Sequence, residues 1–440
     1  MVNVAVPQRW RNLSAPLIVM LALAFTMTLA SYVSKTPCVG PPYDEAGVSA
    51  NIANAYRLVC LTDIQALWVG RGIDEHRFPY VDGRLDVSQG EPGQLLDGAI
   101  EYPVLTGVFM WFTALPAGNS GQYLALTAFF LLPIALLIAW QLVALVGWRA
   151  LVYAAAPAVV FYSVYNWDLL AVAWVLGAVL AWRRGRFDWA AVFLGLGAAT
   201  KIYPGFFLLP LLIERLVAGD RRGAAKVAGL GAGTWLAVNL PFALANWDGW
   251  WATYAFQAGR VPDLSTNSIY FWGFPEWSIE AVDAFSGTVI AVSWLAALVA
   301  GHVLRHRHGG YPWIQVSAAM LFSFLAFNKV YSPQYALWVL PFLALIAVRW
   351  GWWVVYWCID AILFIGLFRW YHDGNSALAY QAATFGGWSK TMFLMAAAVA
   401  VLFAPLALRL ATPAPPEPSG SERGRAAKAP ARRPTRSRAG

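Results

Sequence analysis

Residues 101–117 read EYPVLTGVFMWFTALPA, an apolar run that could be taken for a membrane crossing. The choice decides the topology of everything after it. Counted as a span, it reverses every later segment and exports the basic turn Trp182-Arg183-Arg184-Gly185-Arg186. Laid along the outer surface, it leaves all the basic loops on one side. On that reading the inner side holds 21 Lys/Arg and 5 Asp/Glu, which leaves 10 and 18 of the chain's 31 and 23 elsewhere. Inner loops rich in Lys and Arg are the rule for membrane proteins, so the segment is read as a juxtamembrane helix.

The remaining apolar runs then give twelve spans, at about 14–33, 123–147, 150–164, 167–182, 188–200, 203–214, 226–244, 285–304, 312–327, 335–348, 351–368 and 391–410. Both termini are placed in the cytosol. The first run follows Arg9 and Arg11 and has no clear small-residue cleavage site, so it reads as a retained helix. Composition agrees. Of 440 residues, 59% are hydrophobic and 12% charged, against about 25% charged in soluble domains. Twenty-four Trp and eighteen Tyr suit the two membrane interfaces. An ordinary cytosolic enzyme is excluded. The expected fold is an all-α polytopic membrane domain over 1–410 in the cell membrane. A disordered basic cytosolic tail over 411–440 supplies much of the net charge of +8. That tail lacks the interleaved aromatics of a nucleic-acid arm.

The first outer segment, about 34–122, carries ten acids, among them Asp44, Asp63 and Glu101. A second outer loop, about 245–284, holds Arg260 among many rings, and a third is expected at 369–390. Short turns on the same side hold Tyr165-Asn166-Trp167-Asp168, Thr200-Lys201-Ile202-Tyr203-Pro204 and Asn328-Lys329-Val330-Tyr331-Ser332-Pro333-Gln334-Tyr335. Lys201 and Pro204 break a helix at membrane depth, which is tolerated where backbone is buried or lines a cavity. Carboxylates can act as general bases, lysines suit a phosphate, and rings with amide edges suit a sugar. Together they point to an enzyme that takes a sugar from a lipid phosphate at an interface.

The chain resembles the GT-C superfamily of integral-membrane glycosyltransferases, and within it glycosyltransferase family 87, which includes actinobacterial mannosyltransferases dependent on polyprenyl-phosphate mannose. The matching residues are Asp63-Ile64, Phe78-Pro79-Tyr80, Glu101-Tyr102-Pro103, Asn166-Trp167-Asp168, Gly195 to Pro204 (GLGAATKIYP) and Ser332 to Trp338 (SPQYALW). The resemblance implies a GT-C-like fold and an inverting transfer, on the outer face, from a polyprenyl-phosphate sugar to a glycolipid, polysaccharide or protein. It also implies an acidic base at Asp63.

For each residue a plainer role stands beside the chemical one. Asp63 would equally serve as the exposed N-cap of an outer helix. Asp44 could orient the acceptor or sit in a solvated turn, and Glu101 could touch substrate or start the 101–117 helix. Lys201, Lys329 and Arg260 are phosphate candidates that could instead snorkel to the interface. Asn166, Asp168, Tyr203, Tyr331 and Gln334 complete the expected binding set. Asp360, inside a span, needs a neighbouring helix as partner or marks a proton path. Cys38 and Cys60, both on the outer side, leave a disulfide open. No cofactor is called for, and no motif demands a metal. The rival function is a transporter or flippase of a lipid-linked sugar. The absence of an evident internal repeat speaks against it.

Overall fold

The computed structural model describes residues 8–408 apart from 89, 91, 92, 264 and 265, and these pack as one unit through Ala407. The expected tail at 411–440 lies outside the described residues. Nearly all the regular structure is helical, as the composition requires. The paired strands described form one antiparallel hairpin, with Arg84–Asp86 against Gln94–Leu96, in the first long loop.

Among the described residues, six helical segments are long and apolar enough to cross a bilayer: Ala15–Cys38, Ser120–Ala154, Arg221–Ala245, Ile279–His306, Trp350–His372 and Ala377–Phe403. The other six expected spans fall on shorter helices, among them Pro157–Tyr162, Asp168–Arg183, Phe187–Ala198, Leu208–Val217, Trp313–Phe327 and Ala336–Leu345. Proline sets several of the breaks. Pro157 and Pro204 each sit in the first turn of a new helix, where a missing N–H costs nothing, and Ala156 ahead of Pro157 is extended.

The 101–117 run contains an 11-residue helix, Val104–Ala114. At 1.5 Å per residue it covers about 16 Å, too little for a hydrocarbon core of about 30 Å. Its first turn docks on the broken segment ahead of Tyr203. The Leu105 N–H donates to the Ala199 carbonyl at 2.9 Å, and the Thr106 hydroxyl to the Thr200 carbonyl at 2.7 Å.

The last span differs from expectation. Its helix begins at Ala377, not near 391, so the expected loop at 369–390 contracts to a short turn after His372. The polar and small residues that suggested a loop face the Trp350–His372 helix instead. A Cβ on Gly386 would come within 2.7 Å of the Leu363 backbone, and one on Gly366 within 2.8 Å of the Ala383 nitrogen. Small residues at such a crossing let two membrane helices approach closely. Lys390, read as a loop residue, is buried and pairs with Asp360 at 3.1 Å. Asp360 thus finds its partner on a neighbouring helix.

At the end of the bundle remote from Asp63, basic side chains finish helices. Arg183 donates to the carbonyls of Ala144 and Leu145, and Arg149 to those of Leu343, Ala344, Ile346 and Val348. Cations there meet the orphan carbonyls and negative dipole of each helix end. At the other end, Cys38 and Cys60 are joined in a disulfide with Cα atoms 5.9 Å apart, closing the first loop just before Asp63.

Candidate active site

Asp63 is the first residue of the Asp63–Gly70 helix but not its cap. That role belongs to Thr62, whose hydroxyl accepts from the Gln65 N–H at 3.0 Å. The Asp63 carboxylate is therefore released from the helix end. Its backbone N–H donates to the Tyr165 carbonyl at 3.0 Å, which clasps the helix to the Tyr165-Asn166-Trp167-Asp168 turn. Asn166 then reaches back: its Nδ2 lies 2.6 Å from Asp63 Oδ2 and 2.7 Å from the Tyr102 hydroxyl oxygen. The Tyr102 hydroxyl is 3.3 Å from the same Asp63 oxygen. Burial pushes the Asp63 carboxyl up to about 6 despite the Asn166 bond, with Glu101 and Asp168 adding to the rise and Lys201 opposing it. Burial likewise drives the Tyr102 phenol well above its usual range, so it stays a neutral donor.

One turn of chain further, Asp168 is fully buried at the start of the Asp168–Arg183 helix. Lys201 Nζ lies 3.4 Å from its Oδ1, and the Trp338 indole N–H donates to that oxygen at 2.8 Å. Asp168 Oδ2 has no hydrogen-bond partner among the described residues. The Lys201 ammonium also sits 4.3 Å from the centre of the Tyr102 ring, and 5.9 Å from that of Trp338. Trp338 is stacked between Tyr203, at 4.2 Å, and Tyr335, at 3.9 Å. Lys201 sits in the break between the Phe187–Ala198 and Tyr203–Phe206 helices, with its ammonium over Tyr102.

Five of the expected residues thus meet in one cluster: Asp63, Asn166, Asp168, Lys201 and Tyr203. The others separate. Glu101 lies ahead of the Val104–Ala114 helix, not within it, and its carboxylate is paired with Arg71. Lys329 pairs with Asp283 at 2.6 Å and donates to the Ala258 carbonyl at 2.7 Å, which sets it beside Arg260 at the end of the Trp247–Gly259 helix. Gln257 of that helix donates to the Glu101 carbonyl at 2.9 Å, so Glu101, Lys329 and Arg260 form a charged rim next to the cluster. Gln334 is buried, and its Oε1 has no hydrogen-bond partner among the described residues. Tyr331 turns the other way, with Lys390 4.0 Å above its ring. Asp44 is not drawn in. Exposed, it accepts from the Ala46 and Val48 N–H groups and shapes a solvated turn.

Tyr102, Trp338 and Tyr335 join the cluster beyond the residues the sequence singles out. Lys35, one of the most buried cations, sits over the rings of Tyr165 at 5.9 Å and Phe364 at 5.3 Å. Nothing in its sequence context, the polar end of the first helix, marked it out. Among the described residues, no group of three or more His, Cys, Asp or Glu side chains is placed to hold a metal ion.

The turn carrying Asn166 and Asp168, and the break carrying Lys201, fall within residues 101–327, which match glycosyltransferase family 87 over more than half the chain. This chain belongs to that family. The crystal structure of ArnT from Cupriavidus metallidurans bound to undecaprenyl phosphate aligns with a TM-score of 0.41 and 15% identity, over 90% of this chain and 77% of that one. No curated sequence matches the chain significantly. As a family 87 member with six helices able to cross a bilayer, the protein is a membrane glycosyltransferase, which decides against the transporter alternative. Asp63 and the 329–338 segment lie outside the matched residues. They join the family 87 region through the contacts described above.

Proposed function

We propose that this family 87 glycosyltransferase moves a sugar from a polyprenyl-phosphate donor to an acceptor hydroxyl on the outer membrane face, with Asp63 as general base. The observation that carries the reading is the environment of Asp63. It is a carboxylate pushed up to about 6, held by two donors, with a lysine poised next to it over the Tyr102 ring. Such a group is largely ionised at pH 7 yet more basic than an ordinary aspartate. Both side-chain hydrogen bonds fall on Oδ2, which leaves Oδ1 to take the acceptor proton.

In the proposed step the acceptor oxygen bonds to the anomeric carbon while its proton passes to Asp63 Oδ1. The bond from that carbon to the phosphate oxygen breaks, and the charge left on the polyprenyl phosphate is met by Lys201. One base and one displacement invert the anomeric centre. Tyr203, Trp338 and Tyr335 offer flat faces of the kind sugars stack on. Asn166 and Tyr102 hold the carboxylate, and Lys329 and Arg260 supply positive charge at the rim. The lipid-linked donor brings its own leaving group, so no further cofactor enters the step.

Mannose is the donor sugar to test first, on the resemblance to polyprenyl-phosphate-mannose enzymes. The test uses the purified chain in nanodiscs with labelled polyprenyl-phosphate mannose and a membrane-lipid extract, comparing wild type with Asp63→Asn. The expected result is label transfer that Asp63→Asn abolishes while donor binding persists. Wild-type turnover in a folded Asp63→Asn protein would reject Asp63 as the base.

A further inference from the structure

The Asp168–Arg183 helix ends in a turn that leaves two guanidinium groups over. The Gly185 N–H bonds to the Trp182 carbonyl at 2.8 Å and the Arg186 N–H to the Ala181 carbonyl at 2.9 Å, with Gly185 at φ +71°. This is the Schellman arrangement, in which a left-handed glycine closes the helix. It consumes the last carbonyls through the backbone and frees the side chains on either side of the glycine. Arg183 is used up on the neighbouring helix. Arg184 and Arg186 are exposed and make no ion pair among the described residues, and the nearby Asp188 pairs with Lys226 instead.

A groove of about 480 Å³ runs up from this turn, between the Ser120–Val146, Asp168–Arg183 and Phe187–Ala198 helices, and both arginines line its end. Ala173, Gly177 and Ala181, each four residues from the next, form its floor, because residues at that spacing share one face of a helix. Trp140 and Phe193 stand as walls. The Asp168–Arg183 helix has 16 residues, about 24 Å of rise, against a hydrocarbon core of about 30 Å. Its terminal arginines are therefore held at the boundary between acyl chains and headgroups, where a cation without a protein partner is neutralised by a lipid anion.

We propose that this groove is a binding site for an anionic phospholipid on the membrane face opposite Asp63. One acyl chain lies over Ala173, Gly177 and Ala181, and the phosphate headgroup sits against Arg184 and Arg186. The charge of the two arginines selects an anionic lipid, and the apolar floor of small residues selects a chain over a soluble anion. Gly177 is the narrowest part of the argument. A Cβ there would touch the Phe193 ring at 3.4 Å and Gln141 at 3.5 Å, so alanine fits while any longer side chain occupies the groove.

Native mass spectrometry of the full chain tests this, after delipidation and exposure to phosphatidylglycerol or phosphatidylcholine with identical chains. The expected result is retention of one phosphatidylglycerol, preferred on the order of tenfold over phosphatidylcholine. The Arg184→Gln/Arg186→Gln double variant, changed only on an exposed turn, should lose that preference. Gly177→Leu should lose the retained lipid of either kind, while Gly177→Ala keeps it and shows that the position tolerates change. Equal retention of the two lipids by wild type would overturn the proposal, as would a preference that survives the double arginine variant. Displacement of phosphatidylglycerol by equimolar polyprenyl phosphate would equally overturn it, by making the groove a carrier-lipid site.

Discussion

Asn166 Nδ2 lies 2.6 Å from Asp63 Oδ2, and the other end of the same amide is fixed, because Asn166 Oδ1 accepts the Trp167 backbone N–H at 2.6 Å. The amide cannot turn over without losing that bond, so it presents a donor to the carboxylate permanently. A donor favours the ionised form and holds the Asp63 carboxyl lower than burial alone would leave it. Replacing Asn166 with alanine should therefore move the acid limb of the rate profile to higher pH, with kcat/KM down about tenfold near pH 6.5 and recovering toward pH 8. A pH series from 5 to 9 on purified enzyme checks it. An unchanged midpoint would mean that Asp63 is not the group titrating in the rate.

The raised carboxyl also has a thermodynamic consequence. An aspartate near 3.8 in the unfolded chain and about 6 in the folded one binds more protons when folded, so stability falls as pH rises from about 4 through 6 and stays reduced above that. Asp63→Asn keeps an oxygen for Asn166 and Tyr102 to bond and removes the buried charge. It should raise thermal stability at pH 7.5, by about 1–3 kcal/mol, with the two proteins converging near pH 4. Thermal unfolding of the variant at both pH values reads this directly. Equal melting at pH 7.5 would contradict the environment assigned to Asp63.

Lys201 serves two groups at once, the buried Asp168 and, in the proposed reaction, the donor phosphate. Lys201→Met leaves Asp168 charged and uncompensated, which should cost about 3–5 kcal/mol of stability. The Asp168→Asn/Lys201→Met pair removes both charges and should recover most of that loss. If Lys201 meets the phosphate, the double variant still shows a raised donor KM with acceptor KM little changed. Recovery of donor KM along with stability would confine Lys201 to a structural ion pair.

How much of this was legible in the sequence depends on the type of residue. Asn166, Asp168 and Lys201 stood out because each is a polar residue in a short turn between apolar runs, and such a turn has few reasons to be polar. Asp63 was legible as an acid in the first long loop, but its release from capping duty was not. Thr62 takes that duty, and adjacent residues Thr and Asp both make good caps. Trp338 and Tyr335 are invisible for the opposite reason, since a ring in an apolar segment reads the same in a core or a site. Lys390 was misplaced because Gly386, Gly387, Ser389 and Lys390 together have the composition of a loop. Only the close approach to Leu363 and the partner at Asp360 show that these residues form a helix interface.

The Asp360–Lys390 pair gives the last prediction, because it sits where charge is least welcome. Both residues are almost wholly buried, at 1% and 2% exposed, with the Tyr331 ring under the ammonium. Such a pair contributes little net stability against a well-packed apolar replacement, but breaking one side strands the other. Asp360→Leu or Lys390→Met alone should therefore lower stability by about 3–5 kcal/mol, while the double variant should lie within about 1–2 kcal/mol of wild type. Tyr331 and Tyr335 are 5.7 Å apart, and Tyr335 stacks on the Trp338 that holds Asp168. This line of rings connects the pair to the cluster around Asp63 and Asp168. A double variant that is stable and fully active would show that the pair only joins two helices. A stable double variant with kcat reduced about tenfold, donor binding intact, would show that it also sets the position of Trp338 through Tyr331 and Tyr335.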